Sequence, residues 1–85
     1  MKIGSVVVSL GGHDIGEWFL VAKVDKNFVY VCDGKNRPLQ KPKKKNKKHV
    51  CATKKFCKEF EYMINSGSKI QNAFIRKTLK FFKEQ

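Results

Sequence analysis

Acidic side chains are scarce in this chain: seven Asp and Glu stand against nineteen Lys and Arg, and the seven avoid its middle. Between Asn36 and Lys55 there is none, while nine Lys or Arg fall there, so this window carries nine of the twelve net positive charges. Residues 1–35 are neutral, and the last thirty residues add the remaining +3. Charge this concentrated repels itself, and a folded chain keeps it when a polyanion neutralises it. The centre of the window is Pro42-Lys43-Lys44-Lys45-Asn46-Lys47-Lys48.

Long apolar runs are also missing. Val6-Val7-Val8 and Trp18-Phe19-Leu20-Val21-Ala22 are the longest, far too short to span a bilayer. The basic run has no adjacent apolar anchor that would fix it to an anionic membrane, so no membrane partner is expected. Met1-Lys2-Ile3-Gly4-Ser5-Val6 reaches a polar residue too soon for a secretory signal. Cysteine is limited to three residues, an odd number without Cys-x-x-Cys spacing. That predicts no disulfide framework and points to a reducing cytoplasm. Cys32, His49, Cys51 and Cys57 lack the paired spacing of a zinc knuckle, so no metal is expected and the thiols read as small hydrophobes. His49 and Cys51 have no orienting carboxylate nearby, since Glu59 and Glu61 read as the solvated face of a helix. With no acid/base pair, nucleophile or phosphate loop, neither an enzyme nor a cofactor is expected.

What remains is an ordinary globular composition. The 85 residues suit one domain with a thin but sufficient core, and 41% hydrophobic content with seven Phe argues against a disordered basic tail. Gly4–Leu10 reads as a valine-rich strand and Gly11–Gly16 as a glycine loop. Glu17–Val24 reads as a second strand, with an apolar centre continuous enough to be covered on both faces, as in a closed small barrel. Asp25-Lys26-Asn27 is a tight connection, Phe28–Cys32 a third strand, and Asp33-Gly34 a hairpin turn. Pro38 and Pro42 make 37–41 an extended edge strand or loop, and Lys48–Cys51 a short returning strand. Together these predict a compact antiparallel barrel.

After Thr53 the period changes. Phe56, Phe60, Met63 and Ile64 share one helical stripe, Gly67 suits a left-handed C-terminal position, and Ser68 with Gln71 forms a capping-box pattern for a second helix. That helix carries Ile70, Ala73, Phe74 and Phe81 on one side and Ile75, Leu79 and Phe82 on the other, a surface broad enough to need covering twice. The short loop predicts antiparallel neighbours. The fold class is therefore α+β: residues 1–52 a barrel with its basic loop, and 53–85 a helical hairpin packed on it as one compact unit.

Gly4-Ser5-Val6-Val7-Val8-Ser9-Leu10-Gly11-Gly12-His13-Asp14-Ile15-Gly16-Glu17-Trp18-Phe19-Leu20-Val21-Ala22-Lys23-Val24 resembles a KOW motif: a strand, a glycine-containing loop with a basic or polar tip, and a second strand. The glycine that many such motifs carry at the start of the second strand would fall near Phe19 and is absent. The apolar residues there are more similar to the eukaryotic-type large-subunit ribosomal proteins of the fourteen-e group. Asp33 through Val50, containing Arg37-Pro38-Leu39-Gln40-Lys41-Pro42-Lys43-Lys44-Lys45-Asn46-Lys47-Lys48-His49, is similar to small bacterial KOW-domain RNA-binding relatives of that group. The resemblance spans residues 3–50. It implies an SH3-like barrel, non-catalytic RNA binding, ribosomal RNA as partner, and other ribosomal proteins against the C-terminal helices.

The candidate RNA-binding residues are His13, Arg37, Lys41, Lys43, Lys44, Lys45, Lys47, Lys48 and His49. Lysine is a flexible point charge suited to phosphates and poor at reading bases. Six to eight such contacts would give a slope of log affinity against log salt of roughly −4 to −7. The plainer reading is a solvated loop. Arg37 could fork onto phosphate or be an ordinary surface cation, and His13 is balanced between RNA and solvent. Asp14 is expected to fix the glycine loop through its own backbone. Trp18, Phe19, Phe28 and Tyr30 could stack bases, but small barrels need such residues as core, and the core reading is favoured. Strand alternation would expose only Trp18 and Tyr30 among them. The rival function is a protein-interaction adaptor working through the helical hairpin.

Overall fold

The computed structural model describes all 85 residues. Five strands and two α-helices form in the order β1 (Ser5–Ser9), β2 (Trp18–Val24), β3 (Phe28–Cys32), β4 (Lys43–Asn46), a 3-10 turn (Lys47–His49), β5 (Val50–Phe56), α1 (Lys58–Asn65) and α2 (Asn72–Lys83). The strands make one antiparallel sheet, ordered β4-β3-β2-β1-β5.

Period two along the strands divides the apolar residues between the two faces of this sheet. Val7, Phe19, Val21, Val29, Val31 and Val50 are buried together on one face. Val6, Leu20 and Cys32 point the other way and join Phe60 of α1 with Ile75 and Leu79 of α2. Coverage on both sides is why the centre of β2 is apolar without interruption. Phe19 and Phe60 are essentially inaccessible to solvent; burial of each stabilises the fold by roughly 1.5–3 kcal/mol relative to exposure.

The expected closed barrel is not a hydrogen-bonded ring, because no ladder joins β4 to β5. The sheet is nonetheless curled. Val50 of β5 packs in one cluster with Val29 and Val31 of β3, and register shifts at Val21/Lys23 and Ser5/Val7 add local twist. β4, only four residues long, is tied to the loop between β1 and β2 by the Lys45 side chain.

The β3–β4 connection is strapped to α2. The Arg76 guanidinium donates to the Gly34 carbonyl at 2.6 Å, and the Leu39 amide donates to Asn72 Oδ1 at 2.8 Å. Gly34 sits at φ +75° with the Asn72 carbonyl and the Ile75 and Arg76 side chains where a Cβ would go, so only glycine fits.

β5 runs on to Phe56, past the 52/53 point at which the period changes, and Phe56 therefore ends a strand and does not open the helical stripe. Helix α1 ends as expected: Gly67 takes φ +72°, its amide donates to the Ile64 carbonyl and the Ser68 amide to the Met63 carbonyl. Ser68 does not cap α2. Its hydroxyl lies 2.8 Å from that of Ser66, and Gln71 occupies the N-cap position without a side-chain bond. At the other end of α2 the Lys55 ammonium donates to the Phe82 carbonyl at 2.7 Å, satisfying one of the terminal acceptors.

Candidate nucleic-acid interface

Lysine has little intrinsic preference for strands, yet Lys43–Asn46 forms β4 because β3 offers it a full partner. Val31 pairs with Lys43, Tyr30 with Lys44, Val29 with Lys45 and Phe28 with Asn46. Alternation then sorts the lysine block by face. Lys43 and Lys45 project on the side of Val31 and Val29, and Lys44 on the side of Tyr30 and Phe28.

On the first side the two ammonium groups meet Asp14, carried there by the loop between β1 and β2. Lys45 Nζ donates to Asp14 Oδ1 at 2.8 Å and to the Gly11 carbonyl at 3.1 Å, and Lys43 Nζ donates to Asp14 Oδ2 at 3.0 Å. The Ser9 hydroxyl lies 2.6 Å from Asp14 Oδ1, donating to it, with the Gly11 carbonyl 3.0 Å away. The side chains of Lys45 and Asp14 keep only 5% and 15% of their exposure, while Lys43 keeps 26%. Burial works against the charged form of Asp14 and is the largest single influence. The hydrogen bonds from Lys45, Ser9 and Lys43 together outweigh it and hold the carboxyl well below its ordinary range. Asp14 thus secures its loop through side chains, beyond the backbone turn expected of it. Two of the seven candidate Lys and Arg side chains are thus committed to one carboxylate within the fold, and Lys45 is buried.

The other candidates are differently placed. Lys48 and His49, in the 3-10 turn, are exposed, and their side chains make no hydrogen bond or ion pair. The turn is held from both ends: Asn46 Oδ1 accepts from the Lys48 amide at 2.9 Å, and the His49 carbonyl accepts from the Leu10 amide at 2.8 Å. That second bond brings the turn against the root of the β1–β2 loop, whose tip carries exposed His13. Lys47 is half-buried and donates to the Lys26 carbonyl at 3.0 Å, with no acidic partner. Arg37 and Lys41 are exposed on the β3–β4 connection. Asp33 Oδ1 accepts from the Arg37 amide at 2.8 Å, but neither long side chain has a polar partner. Lys44 is exposed, its ammonium 4.3 Å from the centre of the Phe28 ring.

The four aromatic candidates separate as well. Phe19 is core. Trp18 is half-buried against the cluster beneath the helices, with the Lys55 ammonium 5.8 Å over its ring. Tyr30 is half-buried and donates from its hydroxyl to Asp25 Oδ2 at 3.0 Å. Phe28, expected inside, is half-buried and packs in neither core cluster.

Cys32 is buried, and its surroundings push the thiol up to about 12, burial acting first and neighbouring Asp33 second. Cys57 is also buried, Cys51 is exposed, and no three His, Cys, Asp or Glu side chains converge closely enough to hold a metal ion. Sequence reasoning missed the clamp on Asp14, although a signal existed: it is the only carboxylate in the first sixteen residues. It also missed Ile15, left 66% exposed on the same loop. Compared with protein-family models and with curated proteins, the chain matches none.

Proposed function

We propose that this chain is a non-catalytic RNA-binding module of the SH3-like, KOW type, directed at ribosomal RNA. The observation that carries the proposal is the set of cations without an acidic partner gathered on β4, the 3-10 turn and the connection before them: Arg37, Lys41, Lys44, Lys48 and the half-buried Lys47, with exposed His49 beside them. The one carboxylate ion-paired with lysines of this segment, Asp14, is already taken by Lys43 and Lys45. Nothing inside the protein neutralises the remaining charge, and a phosphate backbone would do so. The barrel reading is supported by the strand order, by the 3-10 turn linking β4 to β5, and by the return of β5 to pair with β1. In this reading the curled sheet holds the cations in a fixed array, and recognition depends on shape and charge more than on base sequence.

The test replaces Lys41, Lys44, Lys47 and Lys48 together with Gln and follows binding to ribosomal RNA and co-sedimentation with ribosomes at physiological salt. Release of the variant, with folding unchanged by circular dichroism, is the expected result. Undiminished binding would remove this surface from consideration.

A second reading, a protein-interaction adaptor, is favoured by Phe81, which is 58% exposed on α2 beside half-buried Phe74 and Phe82. Association that survives high salt and is lost in Phe81→Ser would favour it over the first.

A further inference from the structure

Phe28 and Tyr30 are the puzzle of the sheet. They occupy the middle of three adjacent strands, on the face that α1 and α2 cover elsewhere, yet neither belongs to either buried cluster or packs against one. The bulge in β2 sets Lys23 opposite Tyr30, and β4 sets Lys44 opposite it on the other side, so Lys23, Tyr30 and Lys44 lie in one row across β2, β3 and β4. Phe28 and Asn46 form the next row. An ammonium group lies over each ring: Lys23 at 5.1 Å from the Tyr30 centre and Lys44 at 4.3 Å from that of Phe28. The Tyr30 hydroxyl, at the end of its ring, donates to Asp25 Oδ2 at 3.0 Å.

We propose that this strip receives unpaired RNA nucleotides, their bases stacking on Phe28 and Tyr30 while Lys23 and Lys44 swing from the ring faces to the flanking phosphates. The inference rests on the RNA-binding reading and adds to it the class of RNA, single-stranded in place of duplex. The chemistry fits the occupant on three counts. An aromatic ring accepts any base on its face, as single-strand binders use it. Lys23 and Lys44 are exposed, and an ammonium that still faces solvent is held over a ring weakly compared with a stacked base, so the exchange runs toward the base. The displaced lysines are long enough to follow a backbone, and Asn46 beside Phe28, its Oδ1 held by the Lys48 amide, keeps its side-chain NH2 as a donor for a base edge. A duplex keeps its bases stacked on one another and cannot use the rings.

The experiment measures fluorescence anisotropy with two labelled probes, a short oligouridylate and an RNA duplex of the same length. Proteins compared are the wild-type chain, Phe28→Leu, Tyr30→Leu and Tyr30→Phe. Leucine keeps an apolar side chain on the strand, and a check of thermal unfolding establishes that each variant is folded. Affinity for oligouridylate is expected to fall about tenfold for each lost ring, with duplex affinity and the salt slope unchanged, and Tyr30→Phe should bind as wild type. Equal losses on both probes, or none on oligouridylate, would overturn the strip while leaving charge-driven RNA binding intact. Failure of the wild-type chain to bind either probe at low salt would overturn both readings.

Discussion

Replacing Asp14 with Asn should destabilise the protein by about 3 kcal/mol, at the lower end of the range for breaking a buried ion pair. The magnitude follows from unequal burial of the two lysines. Lys43, with 26% of its side chain exposed, can turn to water once the carboxylate is gone. Lys45, with 5%, cannot, and would keep only the Gly11 carbonyl and a neutral amide as partners for a full charge. An 85-residue domain has a total stability of roughly 4–13 kcal/mol, so the loss is a large share of it. Tm should fall by about 12–24 °C. Urea unfolding followed by far-UV circular dichroism measures the change, and a double variant separates its causes. Asp14→Asn with Lys45→Met removes the stranded charge, fills the same space with apolar atoms, and should recover most of the loss.

The pH dependence has a definite sign. Asp14 is held below its ordinary value of 3.8 when folded. Its contribution is therefore complete above that value and is lost as pH falls through the lower folded value. Wild-type stability should drop on acidification below about pH 4 more steeply than that of Asp14→Asn, which has no carboxylate to protonate. A loss under 1 kcal/mol in the single variant, or parallel acid limbs for the two proteins, would show that the Asp14–Lys45 contact does not hold the loop to β4.

Other expectations concern separate parts of the molecule. Gly34→Ala should cost about 2 kcal/mol or more in urea unfolding, because the new Cβ meets the Asn72 carbonyl from a left-handed backbone; a cost near zero would mean that α2 does not seat there. Ellman's reagent should modify Cys51 rapidly and leave Cys32 untouched until the protein unfolds, since Cys32 is buried and its thiol is pushed up to about 12. Phe60→Ala should cost about 3–5 kcal/mol as a core cavity, whereas Phe81→Ala, on the exposed side of α2, should change stability by less than about 0.5 kcal/mol.

The meander of the first three strands was legible because valine and aromatic runs are punctuated by turn residues that do what their chemistry requires. Gly12 and Gly16 take positive φ in the first loop, and Asp33 turns the chain after β3 by accepting from the amides of Lys35 and Arg37. The helices were legible from their period and from Gly67. The lysine segment was harder, since Lys43-Lys44-Lys45-Asn46 has no apolar alternation to announce a strand. Its pairing depends on β3, and its inward charges depend on an aspartate about thirty positions earlier; both are tertiary facts. Thr53–Phe56 misled for the opposite reason, because Phe56 fits the helical period while its backbone continues the ladder to Ser5. Phe28 was assigned to the core by composition, and only the folded arrangement reveals that it is half-buried and packs against neither buried cluster. The concentration of charge was thus visible in the sequence, whereas the contacts that commit two of its lysines to Asp14 were not.

That division of labour among the lysines makes the salt dependence of RNA binding the sharpest test. With Lys43 and Lys45 paired to Asp14, about five cations of the basic segment itself remain for phosphates: Arg37, Lys41, Lys44, Lys47 and Lys48. The slope of log affinity against log salt for the wild-type chain should then be about −3 to −5, shallower than the whole lysine block would give. A slope near zero, or no binding even in dilute buffer, would contradict the claim that this protein displays its charge to a nucleic-acid backbone.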